Sequence, residues 1–275
     1  MFENTKITFI GSGAMATAMI AGLCEQGLVA PHHITASDPF AAQLEKIEQR
    51  FSIKTSPRNV EAVKGADIIV LAVKPQTLAA IGKELKNEIP PEALVLSILA
   101  GSTINTISQA LRHDRLVRVM PNTPAQVNKG MSVWTCTEQV DDLQKQQTQA
   151  ILGALGAEIF VDSEKFLDMA TALSGGGPAY VYLFMEALID AGVHMGFARP
   201  VAQQLVYQTL EGSVAFARST GSHPAELRNM VTSPGGTTAE ALYQLEKGGF
   251  RAVISKAIWA ACQKSRYLGG LEDNE

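Results

Sequence analysis

The first apolar run of the chain, at 7–10, holds Ile7, Phe9 and Ile10 and stops at a glycine, which predicts a short buried strand. The spacing then changes: Met15, Met19, Ile20 and Leu23 recur at helical intervals as far as Gly27, so a helix follows. The same change of period repeats through the first half. Strands are predicted at 33–37, 52–55, 66–73, 94–98, 115–120, 131–135 and 158–161. Helices are predicted between them at 41–50, 76–87, 104–111 and 141–155, with one more starting after Ser56-Pro57. The stretch 66–73 (ADIIVLAV) is apolar almost throughout, as expected of a central parallel strand covered on both faces. This regular alternation predicts an α/β fold with a doubly wound, mostly parallel sheet.

From Glu164 onward the strand period disappears. Helical patterns occupy 178–197, 200–220, 224–230 and 238 to about 268, with prolines in first turns and Gly196 and Gly221 just past helix ends. The domain boundary is therefore placed near Asp162, giving an α/β domain at 1–162 and an all-α domain at 163–275. The helix at 179–195 is apolar around most of its girth, with Glu186, Asp190 and His194 as its strong polar exceptions. A helix of that kind must be buried on every side, which a domain of about 110 residues hardly achieves alone. Self-association through this half is expected, and His194 is read as a core histidine.

Composition narrows the function. A chain of 275 residues with a net charge of -4, free of long single-sign runs, has no electrostatic footprint for nucleic acid or an anionic membrane. Small-molecule chemistry is the default. Cys24, Cys136 and Cys262 lie far apart without a CxxC pair, so neither a disulfide framework nor a zinc site is expected, and no metal is assigned. No apolar run approaches a membrane span, and the chain opens on a strand without a basic leader. A cytoplasmic protein is expected, with reduced, buried thiols and a frayed acidic tail at 271–275.

The break after the first strand carries the first motif. Gly11-Ser12-Gly13, with Ala16 three places on, sits between a strand and a helix, in the order of the dinucleotide fingerprint of a Rossmann domain. The free N–H groups of the following helix would face a pyrophosphate. Asp38 ends the second strand and has two readings: a hydrogen bond to an adenosine ribose 2′-hydroxyl, which favours NAD, or a turn or helix-cap residue ahead of Pro39. Lys74, at the end of 66–73, is read either as neutralising cofactor phosphate or as a solvated loop lysine.

Two glycine-rich loops interrupt the helical half: 173–180 (LSGGGPAY) and 232–240 (TSPGGTTAE). Each precedes a helix and offers bare N–H groups and hydroxyls suited to a carboxylate. The plainer reading makes Thr237-Thr238-Ala239-Glu240 a capping box and Ser174 part of a tight inter-helix turn. No histidine is well placed to give a proton to a developing alkoxide, and Lys165 reads as a surface helix start. A protonated imine needs no such donor, because its nitrogen is cationic before hydride arrives and neutral afterward.

Five stretches, ITFIGSGAMA, VLAVKPQ, VRVMPNTPA, LSGGGPAYVY and above all VTSPGGTTAEAL, resemble the pyrroline-5-carboxylate reductase family over nearly the entire chain. The resemblance implies an NAD(P)H-dependent oxidoreductase that reduces the C=N bond of 1-pyrroline-5-carboxylate to give L-proline, the last step of proline biosynthesis. It implies a Rossmann domain for NADPH or NADH and a helical domain that dimerises, often into rings of five dimers. The active site would lie between a nucleotide domain and helices that include the partner subunit's. By motif, Ile10, Gly11, Ser12, Gly13, Ala14 and Met15 would hold the pyrophosphate, and Ser37 and Asp38 would flank the ribose. Asn59 would face the adenosine end, and Ala72, Val73, Lys74, Pro75 and Ala100 would line the cofactor cleft. Thr238 would donate a hydrogen bond at the ring nitrogen as the catalytic residue. Ser174, Gly175 and Gly176 would share the substrate site with Ser233, Gly235, Gly236 and Thr237, and Glu164 would help close it. Where many NADPH-preferring relatives carry small polar or basic residues, this chain has Asp38-Pro39-Phe40 without an arginine, so dual cofactor use or a lean toward NADH is expected. A β-hydroxyacid dehydrogenase with an essential lysine, or a nucleotide-sensing oligomer without catalysis, would account for the same two halves.

Overall fold

In the computed structural model residues 2–269 are described, and the tail at 271–275 lies outside them. One sheet contains β1 (Ile7–Ile10), β2 (Ile34–Ser37), β3 (Lys54–Ser56), β4 (Ile68–Leu71), β5 (Leu94–Ser97), β6 (Leu116–Met120), β7 (Gly130–Cys136) and β8 (Gly156–Phe160). Their order is β3-β2-β1-β4-β5-β6-β7-β8. Neighbours are parallel except for the antiparallel pair β6 and β7. The chain turns one way from β1 to β2 and β3, then the other way to β4 and β5, so the winding reverses at β1.

The sheet is covered by α1 (Ala14–Glu25), α2 (Ala41–Phe51), α3 (Asn59–Ala62), α4 (Leu78–Leu85), α5 (Ile104–Leu111) and α6 (Asp142–Gly153). Side chains alternate across the strands and build a core on each face. Along β4, Ile68 and Val70 join Phe9, Met19 and Ile151 in one core, while Ile69 and Leu71 join Leu78, Ile81 and Ile107 in the other. This two-sided burial is why 66–73 reads as a continuous apolar run.

The helical part contains α7 (Lys165–Ala170), α8 (Gly177–His194), α9 (Arg199–Thr220), α10 (Pro224–Met230), α11 (Thr237–Lys247) and α12 (Phe250–Leu268). The chain forms two compact units. One holds everything up to Gly177 together with the stretch from Ala261, and the other is Pro178–Ala260.

Several local expectations change. The single helix expected from 238 to 268 is two, because Gly248-Gly249 interrupts it and Gly249 takes φ +72, a left-handed value that a helix cannot continue through. The loop expected around Ser174 is one π-helical turn, Thr171–Gly175, which joins α7 to α8. Its Gly176 N–H donates to Thr171 O at 2.8 Å, and the Ser174 hydroxyl to Ala170 O at 3.1 Å, so the backbone coils where a tight inter-helix turn was expected. The helix expected at 76–87 opens with a 3-10 turn, Pro75–Thr77, before α4. His194 is exposed in the single chain, as is most of α8, and Cys24 and Cys136 are half-buried.

Candidate active site

The loop after β1 is built by two glycines of different kinds. Gly11 has φ +92, and a Cβ on it would stand 2.7 Å from Ala72 O and 2.8 Å from Val73 Cγ1, so the fold itself demands glycine there. Gly13 is the N-cap of α1 with an ordinary φ of -68, and a Cβ on it would meet no protein atom within 4 Å. Nothing in the chain requires glycine at 13. The main chain at Gly13, at the N-terminus of α1, is open to a ligand, as a phosphate-binding turn requires. No side chain caps α1, so its first N–H groups stay open.

Of the other expected nucleotide residues, the ends of neighbouring strands bring Ser37, Asp38, Ala72 and Val73 against this loop. Gly11 N–H donates to Ser37 O, Ala72 N–H to Ile10 O and Ile98 N–H to Leu71 O, which sets the carboxyl ends of β2, β1, β4 and β5 side by side. Ser37 is buried and its hydroxyl donates to Asn59 Oδ1 at 2.8 Å, while Asn59 Nδ2 donates to Glu84 Oε2 at 2.8 Å. Asp38 accepts from Phe40 N–H at 3.0 Å, as the turn reading expects, and Phe40, not Asp38, takes the N-cap position of α2. Its other oxygen accepts from the Ser12 N–H at 3.0 Å and the Ser12 hydroxyl at 2.9 Å. Lys74 is exposed and its carbonyl accepts from the Thr77 N–H and hydroxyl, and Ala100 is exposed beyond β5.

Glu164 is engaged within the first unit. Its Oε1 accepts from the Ile104 N–H and from Arg118 Nη1, both at 2.7 Å, so it caps the start of α5 and neutralises a buried cation. Arg118 is only 3% exposed, and its second nitrogen faces Asp168 Oδ1 at 3.6 Å, an oxygen that also accepts from Ser265 Oγ at 2.8 Å. The π-turn is held from the sheet: Asn122 Nδ2 donates to Ser174 O at 3.0 Å, and a Cβ on Gly175 would stand 2.5 Å from Met120 Cε.

In the second unit, Ser233–Gly236 forms a tight turn with Pro234 at its second position and Gly235 at φ +69, closed by Gly236 N–H to Ser233 O at 3.1 Å. The capping box expected at 237–240 is not made. Gly236 is the N-cap of α11, no side chain caps the helix, and Thr238 lies inside its first turn. The Thr237 and Thr238 hydroxyls form no hydrogen bond among the described residues, and the first N–H groups of α11 remain available to an anion.

Sequence reasoning missed Arg118, Asn122 and Gln43, whose Nε2 pins the nucleotide loop through Ser12 O at 2.6 Å. Arg118 had a signal, a lone cation inside the apolar run LVRVM, since a charge on a central strand is seldom buried without a partner. Burial pushes the His113 imidazole down from its ordinary range, with a bond from Nε2 to Ala93 O at 2.7 Å opposing it, and burial pushes the Cys24 and Cys136 thiols up. Among the described residues no trio of His, Cys, Asp or Glu is grouped to hold a metal ion, and no helix is long and apolar enough to cross a membrane.

Comparison with known proteins adds to this geometry. A family model described as pyrroline-5-carboxylate reductase dimerisation matches residues 164–268, and one described as NADP oxidoreductase coenzyme F420-dependent matches residues 6–101. The chain is 42% identical to pyrroline-5-carboxylate reductase of Pseudomonas aeruginosa, covering 97% of each protein. It is 40% identical to that of Methanosarcina acetivorans, covering 97% of this chain and 99% of the relative. The crystal structure of Plasmodium falciparum pyrroline carboxylate reductase with NADP bound is 34% identical, with a TM-score of 0.89 over 98% of this chain and 100% of that one.

Proposed function

The chain belongs to the pyrroline-5-carboxylate reductase family, and on that premise we propose how its own residues carry out the reduction of 1-pyrroline-5-carboxylate to L-proline. It is an NAD(P)H-dependent oxidoreductase acting on a C=N bond. When bound, the reduced nicotinamide supplies the hydride. Ile10 to Met15 hold the pyrophosphate, Ser37 and Asp38 the ribose, and Asn59 the adenosine end. Ala72, Val73, Lys74, Pro75 and Ala100 line the cleft. The open space above Gly13 supports this assignment.

The observation that carries the substrate reading is the uncapped start of α11. Gly236 N–H is already used within its turn, which leaves the N–H groups of Thr237 and Thr238 for the substrate carboxylate, with Ser233 and Gly235 shaping the bend. The Thr238 hydroxyl, free of any capping duty, accepts from the protonated imine N–H and afterwards donates to the amine lone pair. As hydride adds to carbon, the C=N π pair moves onto nitrogen, so a cation becomes a neutral amine without a proton being delivered in that step. Ser174, Gly175, Gly176 and Glu164 keep the substrate roles that the family resemblance gives them, and within the first unit Glu164 holds Arg118 and the start of α5.

We divide the roles at residue 162, with 1–162 for NAD(P) and 163–275 for self-association and substrate, and the dimerisation match at 164–268 supports the division. The assembly proposed is a homodimer through the helical half, with a homodecamer as its larger form. The exposure of Tyr182, Leu183 and Trp259 supports self-association. A cytoplasmic location is supported by three cysteines that form no disulfide. Purified protein given 1-pyrroline-5-carboxylate should oxidise NADH or NADPH with formation of proline. No turnover with either nucleotide would overturn the reading.

A further inference from the structure

The face of the sheet that carries Ile10, Ile69 and Leu71 is apolar at β4 and turns polar toward β3. Ile69 pairs in register with Thr8, Thr8 with Thr35 and Thr35 with Lys54, so one row runs from a buried aliphatic residue to an exposed lysine across four strands. The helix over this row, α3, is a single turn, and the Thr8 hydroxyl donates to its last carbonyl, Ala62 O, at 2.8 Å. Beyond that contact the row is uncovered, and a cavity of about 390 Å³ stands over it. Lys6, His33 and Ala66 line it at the amino ends of β1, β2 and β4, whereas the loop after β1 lies at the carboxyl ends, about 13 Å away along a four-residue strand.

The lining is cationic in a chain whose net charge is -4. Lys6, Lys54 and Lys64 contribute to it, and none of the three forms an ion pair among the described residues. Lys6 Nζ would stand 3.9 Å from a Cβ on Gly65, which brings its ammonium to the stretch that carries Lys64. Among the described residues Glu61 is the only carboxylate on the lining, and it is paired with Arg58. Asp67, next to Ala66 in the chain, accepts from the Lys6 main-chain N–H at 2.8 Å. His33 Nδ1 is shut off from solvent without a hydrogen-bond partner, and the Thr35 hydroxyl is likewise unbonded among the described residues. A buried ring nitrogen left unpaired costs free energy that a bound partner recovers, and protonated it donates to an oxyanion.

We propose that this cavity is a second anion site, separate from the loop after β1, which takes a small multivalent phosphate on Lys6, Lys54 and Lys64 with His33 Nδ1–H and the Thr35 hydroxyl as its directional donors. Three unpaired ammonium groups call for an ion of more than one charge, and the ring N–H and hydroxyl suit phosphate oxygens. The test is calorimetric titration of the full-length protein with inorganic pyrophosphate, with and without saturating NADH, for the wild type, Lys6→Gln/Lys54→Gln/Lys64→Gln and His33→Phe. Wild-type protein should bind pyrophosphate saturably, and NADH, which fills the loop after β1, should leave that binding in place. The triple variant should weaken it by about tenfold or more, and His33→Phe by about threefold. Pyrophosphate that NADH displaces belongs to the nucleotide loop, and affinity unmoved in the triple variant belongs elsewhere; either result overturns the proposal, as does a wild type without saturable binding. A loss in the triple variant with none in His33→Phe describes a diffuse cationic surface and overturns it too. The three lysines are exposed, so their variant should melt as the wild type does, and it decides the matter should His33→Phe fail to fold. A protein that does not bind NADH overturns the nucleotide reading alone and leaves this site to the triple variant.

Discussion

In the first compact unit Ile69, Leu71, Leu96 and Trp134 are shut off from water, whereas in the second Leu183 is 68% exposed, Trp259 63% and Tyr182 57%. Among the described residues of Pro178–Ala260, the buried apolar side chains are Ile189 and Ala202. The two units have similar appetites for apolar residues and satisfy them differently. A doubly wound sheet offers two faces, and α1 to α6 cover both within one chain. The helices of the second unit leave most of their large apolar side chains open to water, which is the kind of surface that self-association covers. The loop after β1 thus sits on a self-sufficient scaffold, and the Ser233–Gly236 turn sits on one whose apolar surface is left open within the chain.

The change that would break this contrast most severely places charge on the helical surface. Leu183→Asp combined with Trp259→Asp should abolish self-association in sedimentation and remove activity, since a charge buried without a partner costs about 3–5 kcal/mol. The sheet unit should keep its secondary structure in circular dichroism, and an unaltered assembly would mean that this surface is not the interface.

Inside the self-sufficient unit, Arg118→Ala should lower stability in urea unfolding by about 3–5 kcal/mol, because it leaves Glu164 and the buried Asp168 without their shared cation. A loss under about 1 kcal/mol would reduce the buried pair to a surface one. The two loop glycines sharpen the point that fold and ligand make separate demands. Gly11→Ala should cost about 1–3 kcal/mol through its φ and the approach of Ala72. Gly13→Val should leave thermal stability nearly unchanged yet abolish nucleotide binding in titrations, and retained affinity would contradict the pyrophosphate assignment.

Much of the first unit was legible because its layers impose two clean periods, so ADIIVLAV announced a central strand and the break at Gly11-Ser12-Gly13 announced a loop. Its finer contacts were not. That Asp38 would reach across to Ser12 depends on β2 lying beside β1, which local pattern does not encode. The π-turn was missed because Ser174-Gly175-Gly176 has the composition of a loop, while Met120 and Asn122, some fifty residues away, hold it coiled. The capping box at 237–240 had the right letters, but Gly235 at φ +69 starts the helix at Thr237 and puts Thr238 beyond the cap.

A smaller effect separates catalysis from structure in the second unit. Thr238→Ala should lower kcat roughly tenfold or more, the loss of one hydrogen bond at the reacting nitrogen, with no change in melting temperature. A fall in stability without a fall in kcat would return Thr238 to a structural role. The smallest effect is set by His113. Its imidazole pKa is depressed in the folded protein, chiefly by burial, so the unfolded chain takes up the proton first as pH falls below about 6.5. Stability is then full above that range and declines on acidification, and His113→Gln should flatten this part of the urea-unfolding pH profile.

The proposed grip is made by main-chain donors at the start of α11 on the substrate carboxylate, with the Thr238 hydroxyl at the ring nitrogen. A crystal structure of the protein soaked with L-proline tests it most directly. The proline carboxylate should lie on the N–H groups of Thr237 and Thr238, with the ring nitrogen within hydrogen-bond distance of the Thr238 hydroxyl. Proline bound anywhere else, with the Ser233–Gly236 turn bare, would contradict it.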